Sequence, residues 1–329
     1  MATDGERDFS LQLGVPTNFF RLGCTSYIQA VLFYLTHRKK LQQYDLIHCF
    51  VEPYAPFAMY LSRLLHIPFF ITVHGSYAVR TLGNDWFGMM QRHAYRAAAK
   101  IFCVSTYTQT ALLKRIDVTN TEVIPNGINS SVFKKRIRTS NKQIILGVGA
   151  LKKRKGFHLV IDAMPEVLRA IPDATYYLVG DDSNKEYVGM LQQRIAELGL
   201  THSVQICGQL SEEKLHELYS EAALFVLTSV STENDFEGFG LVFLEANAVG
   251  IPVIGMKGSG AEQAIKDGYS GLLIEENNVT DLSAKIVQVL ADKSGAEALV
   301  ANGYNWATAH DWSRIVEKYL ELYSSGPID

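Results

Sequence analysis

The chain has 329 residues, of which 47% are hydrophobic and 20% charged, and it carries a formal charge of −3. That profile excludes intrinsic disorder and gives enough length for two domains. The slight acidic balance argues against a nucleic-acid binder, which normally shows a basic excess.

The polar opening, MATDGERDFS, has no signal-peptide core, and no run approaches the roughly 18 apolar residues needed to span a bilayer. A cytoplasmic protein is expected. The segment YIQAVLFYLTHRKK (27–40) is amphipathic with a basic end. It reads as a packed helix, with a peripheral contact at the inner face of the membrane as the other role such a pattern permits. Strand candidates follow at 45–50 (DLIHCF), 68–75 (PFFITVHG), 100–105 (KIFCVS) and 122–125 (EVIP). Asn126–Lys142 is polar and turn-forming, and reads as an interdomain linker. A second series then begins: QIILGVGA, TYYLVGD, VQICG, LFVLTS, PVIGM and GLLI, separated by helical segments such as GFHLVIDAMPEVLRA and SEEKLHELYSEAA. Ser211 is placed to cap the latter. The closing WATAHDWSRIVEKYLELY (306–323) reads as one amphipathic helix packing back over the fold. Short strands alternating with helix-length segments predict parallel α/β sheets.

Four cysteines, Cys24, Cys49, Cys103 and Cys207, form no C-x-x-C pair, and three lie in apolar runs. This indicates buried thiols rather than a disulfide framework or a zinc site. The basic clusters HRKK, KKRIR and KKRK read as solvated faces. GVGALKKRKG has Gly147 and Gly149 but Lys152 where a dinucleotide fingerprint needs its third glycine. No P-loop, no nucleophile elbow and no Asp-x-Asp metal motif occurs, and the histidines show no ligand spacing.

The informative stretch is DFEGFGLVFLEANAVGIPVIG, Asp235 to Gly255. A strand ending near Ser229 should pass through EGFG into a helix starting near Leu241. Gly238 and Gly240 would allow close backbone approach at that helix's N-terminus, where free N–H groups and the macrodipole favour an anion. Glu245, inside an apolar run, is costly to bury without a partner. An anion at the helix end and a diol on Glu245 together describe a nucleotide. An ordinary βαβ turn with Glu245 paired to a lysine fits the local pattern equally well.

The spacing EGFGLVFLE, followed by A-x-x-x-G-x-P-V-I, resembles the retaining, nucleotide-sugar-dependent glycosyltransferases of GT-B fold, the glycogen-synthase and α-mannosyltransferase type known as family 4 or group 1. VIPNGINSSVF, GALKKRKGFHLVIDAM, YLVGD, ICGQLSEEKLHELYSEA, IKDGYSGLLI and the closing W…YLELY extend the resemblance over about residues 44 to 323. It implies two Rossmann-like domains: an acceptor-side domain over 1–128, a nucleotide-sugar domain over 129–305, and a returning C-terminal helix over 306–329. The donor would be a nucleoside diphosphate sugar, GDP-mannose or a UDP-hexose, and the acceptor a glycan or lipid-linked sugar, with no metal.

Residue by residue, the resemblance places Glu245 on the ribose hydroxyls and Glu237 on the donor sugar. The backbone N–H groups of Phe239, Gly240 and Leu241 would face sugar and diphosphate, and Lys155 the diphosphate. His74 would reach the transferred sugar, and Gly208, Gln209 and Leu210 would lie near the base. Where the family usually carries Arg, this chain has Ala150, with Arg154 or Lys153 as the candidate substitute. GSGAEQ, Gly258 to Gln263, also departs from the family's usual pattern, so Glu262 has no assigned role. The family's glycine-rich loop after its first strand has no counterpart before Asp45. The N-terminal domain is therefore expected to be truncated, with its missing part tolerated or supplied by a second chain. The competing expectations are a non-catalytic nucleotide-sugar-binding remnant of the fold and a nucleotide-sugar epimerase.

Overall fold

The structure is a computed structural model that describes residues 19–133, 135 and 141–324. Its first half opens with α1 (Phe19–Leu41), β1 (Ile47–Cys49), α2 (Ala55–Leu65) and β2 (Phe69–Val73). It continues through α3 (Ser76–Arg80), α4 (Trp86–Ala97), β3 (Lys100–Cys103), α5 (Thr106–Leu113) and β4 (Thr121–Val123). The four strands lie in sequence order, all parallel. Every residue of β2, FFITV, is buried, as expected for a parallel strand covered on both faces.

The second half builds a six-stranded parallel sheet. Its elements are β5 (Ile144–Val148), α6 (Phe157–Ala170), β6 (Thr175–Val179), α7 (Lys185–Glu197), β7 (Val204–Gly208), α8 (Glu212–Glu221), β8 (Leu224–Val226) and α9 (Leu241–Val249). Next come β9 (Val253–Met256), α10 (Ala261–Ala264), β10 (Leu272–Ile274) and α11 (Val279–Ala291), and the chain closes with α12 (Lys293–Ala309) and α13 (Trp312–Ser324). The strand order is β10-β9-β8-β5-β6-β7. Connections leave β5 to one side and β8 to the other, which opens a crevice beyond their carboxyl ends, where doubly wound sheets bind ligands. The two parallel sheets and their helical layers form the GT-B architecture that the family resemblance implied.

Local chemistry explains the helix boundaries. Ser211 caps α8, accepting from the Lys214 N–H at 3.4 Å, and Ser105 caps α5 through Thr108 at 3.0 Å. Ile128 and Ser130, in the stretch expected as a linker, are bonded to the C-terminal helices. The Ile128 N–H donates to the His310 carbonyl, and the Trp312 N–H to that of Ile128. The Asp311 carboxylate accepts from Ser130 and Ser313. Those bonds split 306–323, expected as a single helix, into the end of α12 and a separate α13. Helix α13 then covers the first sheet: Ile315 and Tyr319 share one buried cluster with Phe70, Phe102 and Ile124. Of the basic cluster Lys134–Arg138, only Lys135 lies within the described residues, with its ammonium 4.9 Å from the Tyr304 ring centroid.

Candidate functional site

The two loops leaving the central strands of the second sheet carry the charged residues. After β5, a single 3-10 turn, Lys153–Lys155, presents Arg154 and Lys155, and Gly156 turns the chain into α6 at φ 70°. A Cβ on Gly156 would overlap the Thr228 carbonyl, so only glycine lets this turn pack against the end of β8. After β8, residues 229–240 run into α9 through Gly240 at φ 88°.

The Glu237 carboxylate is where these loops meet. It is ion-paired to Lys155, lies 3.2 Å from an Arg154 guanidinium nitrogen, and accepts from the Ser229 hydroxyl at 3.2 Å. Burial works against its charge, but Lys155, Arg154 and Ser229 outweigh that cost and hold the carboxyl below its usual range. Arg154 also pairs through Nε with Asp235, at 3.2 Å.

Glu245, one turn into α9, has a different environment. Among the described residues its carboxylate has neither hydrogen-bond nor ion-pair partner, so the lysine pairing that the local pattern allowed does not occur. Burial alone raises its pKa. The nearby Tyr219 hydroxyl, buried and also unpartnered, feels the Glu245 charge. At the start of α9, the N–H groups of Phe239, Gly240 and Leu241 meet no acceptor among the described residues. Half-buried Gly208 ends β7, two strands from β5, at φ 64° beside Asp182, and exposed Gln209 and half-buried Leu210 follow it.

The first sheet supplies the facing wall. His74 follows β2 and is exposed; protein packed round the imidazole lowers its pKa, leaving it neutral at pH 7. Its backbone N–H donates to the buried Glu52 carboxylate at 2.7 Å. The turn then touches the Glu237 loop directly. A Cβ on Gly75 would lie 3.1 Å from the Gly238 Cα, and one on Gly238 would overlap the His74 carbonyl oxygen. Gly238 is thus needed for contact between the two protein backbones, not for the approach of a ligand that its motif suggested. Further bonds fasten the same loop. Ser76 Oγ donates to Asp235 at 2.8 Å, Ser105 Oγ to the Gly238 carbonyl at 2.6 Å, and Arg115 to Glu233 at 2.7 Å.

The structure therefore brings Lys155, Arg154, Glu237 and the His74 turn into one polar cluster, with the free N–H groups and Glu245 following along α9. Sequence reasoning missed Asp235, Ser229, Ser76 and Glu52. Asp235 was detectable as an acid two positions before Glu237, whereas the two serines carried no signal.

Comparison with known proteins assigns the family. The family model described as "Glycosyl transferases group 1" matches residues 130–306, more than half of the chain. The chain belongs to this family. The model described as "Glycosyltransferase Family 4" matches residues 3–132, so the N-terminal half of this group 1 glycosyltransferase is matched as well. An uncharacterized glycosyltransferase of Methanocaldococcus jannaschii is 28% identical over 280 residues, 85% of this chain and 75% of that protein. A GDP-mannose-dependent α-(1-6)-phosphatidylinositol monomannoside mannosyltransferase of Mycolicibacterium smegmatis is 26% identical over 75% of this chain. The chain spans 64% of that relative's length. Among solved structures, Anabaena HepE in complex with UDP superposes with a TM-score of 0.76 at 23% identity, covering 90% of this chain and 82% of that one. No helix among the described residues of this glycosyltransferase is long and apolar enough to cross a membrane.

Proposed function

We propose that this chain is a retaining hexosyltransferase. It would move a hexose from a nucleoside diphosphate sugar, GDP-mannose or a UDP-hexose, to a glycan or lipid-linked acceptor. The observation that carries the proposal is the unpartnered Glu245 carboxylate on the same helix as three free N–H groups, beside the Lys155–Glu237 pair. In this reading Glu245 accepts from the ribose diol, and the N–H groups of Phe239, Gly240 and Leu241 face the sugar and diphosphate. Lys155 is the fixed cation that stabilises charge developing on the leaving diphosphate. Arg154 assists it from beside Glu237, in place of the arginine that Ala150 replaces. A guanidinium with a different origin does not reproduce the same contact, so Arg154 acts as a charge rather than as an equivalent ligand.

Glu237 holds the donor sugar's hydroxyls, and His74 reaches the transferred sugar from residues 1–128, the acceptor side. Gly208–Leu210 border the base. The departing diphosphate itself helps to deprotonate the acceptor, so no carboxylate nucleophile is assigned. The donor names printed for two similar proteins, GDP-mannose for the mycobacterial mannosyltransferase and UDP for HepE, support the choice of donors to be tried. In the test, the purified chain is offered UDP-glucose and GDP-mannose with mannosides and lipid-linked sugars, and release of nucleoside diphosphate is followed. Turnover giving a product of unchanged anomeric configuration supports the proposal. An inverted product removes the retaining assignment, and no release from either donor refutes transferase activity.

A further inference from the structure

Beneath the His74 turn lies a buried acid that the proposed donor contacts do not use. Glu52 follows β1 at the carboxyl end of the first sheet and begins a single 3-10 turn, Glu52–Tyr54, that leads into α2. It is 4% exposed, yet no cation faces it among its recorded bonds. Its carboxylate accepts the His74 backbone N–H at 2.7 Å. Helix α4 supports the residue from behind: the buried Gln91 amide donates to the Glu52 backbone carbonyl, and Tyr95 is fully buried alongside. Burying an unpaired carboxylate is unfavourable, and burial pushes this one up to about 7. An apolar side chain would make a better scaffold there.

What the acid holds is the turn that bears the sugar-facing histidine and touches the donor loop. Gly75 adopts φ 144°, a conformation open in practice only to glycine, and it packs against Gly238. The His74 carbonyl, in the same segment, sits against Gly238 so closely that a Cβ there would overlap it. Any rotation of the His74 peptide therefore moves both the imidazole and the backbone next to Glu237. We propose that Glu52 is a positioning residue, fixing the His74–Gly75 turn against the Glu237–Gly238 loop and so setting where the imidazole meets the donor sugar. This rests on the reading of His74 as the residue that reaches that sugar.

The test uses the full chain with Glu52→Gln, which keeps an acceptor oxygen, and Glu52→Met, which keeps the length without one. Hydrogen exchange at residues 74–76 is expected to accelerate about tenfold in Glu52→Met and to stay near wild type in Glu52→Gln, as loss of one hydrogen bond implies. Turnover of UDP-glucose or GDP-mannose should fall at least about tenfold in Glu52→Met with UDP and GDP affinities unchanged, because the nucleotide binds the other domain. Unchanged exchange at 74–76 in Glu52→Met overturns the inference. So does a Glu52→Gln variant as impaired as Glu52→Met, or a loss of nucleotide affinity that parallels the loss of turnover. If Glu52→Met unfolds, the exchange and turnover of Glu52→Gln decide alone: wild-type values support an acceptor role, and a tenfold change refutes it. His74→Ala separates this inference from the functional reading. If His74→Ala has wild-type turnover, the reading of His74 fails. If His74→Ala is impaired while Glu52→Met turns over normally, only the Glu52 inference fails.

Discussion

Replacing Glu245 by glutamine should weaken nucleotide binding and strengthen the fold at the same time. The binding loss follows from the ribose assignment. A carboxylate accepting from two adjacent hydroxyls makes two charge-assisted hydrogen bonds of about 1.5 kcal/mol or more each. Glutamine keeps one acceptor oxygen but loses the charge and the second acceptor, so a loss of roughly 1.5–3 kcal/mol raises the Kd for UDP or GDP about 10- to 100-fold. The stability gain follows from burial. With no partner, the Glu245 carboxyl has its pKa raised in the folded chain, so the folded state binds its proton more tightly than the unfolded state does. Below the unfolded carboxyl value, near 4.3, this group is neutral in both states and is not destabilising. As pH rises from there through the raised folded value, the fold loses stability, and above it the loss is complete. Glutamine never charges, so the free variant should melt above wild type at pH 8, with the difference closing towards pH 4. Calorimetric titration with UDP and GDP gives the first quantity, and scanning calorimetry at the two pH values gives the second. Unchanged nucleotide affinity refutes the ribose assignment. A variant less stable than wild type at pH 8 shows instead that Glu245 has a partner in the folded protein.

Lys155→Met should weaken UDP at least about tenfold more than uridine, since the lysine is assigned to the diphosphate, and it should also cost the fold about 3 kcal/mol by leaving Glu237 poorly compensated. Restoring stability with Glu237→Gln in the same chain checks the second part; equal losses for UDP and uridine would remove the lysine from the phosphates. Gly238→Ala should lower turnover and separate the two halves, because the added methyl overlaps the His74 carbonyl, and small-angle scattering would register the wider separation. An unchanged radius of gyration with full turnover would contradict that packing. Glu52 should make the fold less stable with rising pH. Its folded value of about 7 lies above its ordinary 4.5, so about 3 kcal/mol is lost between those limits, and Glu52→Gln should remove that share of the slope. A slope from pH 4.5 to 7 as steep in Glu52→Gln as in wild type would show that Glu52 does not carry this cost.

Strand positions were legible because burial on two faces demands continuous β-rich runs, and all ten runs read from the sequence overlap observed strands. The break between α12 and α13 was not, since WATAHDWSRI keeps an amphipathic rhythm across it. The cue was Asp311 two residues before Ser313, a local capping pattern that periodicity does not register. In the site, Lys155, Glu237 and Glu245 were legible through spacing. The bonds of Ser76, Ser105 and Arg115 to the Glu237 loop were not, because nothing local in a serine or arginine names a partner more than 100 positions away. Glu52 was detectable and went unread. It lies in CFVEPYAPFAMY, an acid within an apolar stretch, the same signal that singled out Glu245.

Three acids, buried Glu52 and half-buried Glu237 and Glu245, thus stand in three different electrostatic states. Glu237 is compensated by a lysine, an arginine and a serine, and stays ionised. Glu52 is compensated by a backbone N–H, too weakly to keep its carboxyl from rising to about 7. Glu245 is compensated by no recorded contact and is raised by burial alone. A site for an incoming diol needs this order. A carboxylate already satisfied by protein would have to give up those bonds to accept from ribose, offsetting what binding gains. Of the three, Glu245 alone has neither carboxylate oxygen engaged among the described residues, and it stands on the helix whose first N–H groups meet no acceptor there. The cost of leaving it unpaired in the free protein becomes affinity when the nucleotide arrives, which is why the same substitution should move stability and binding in opposite directions.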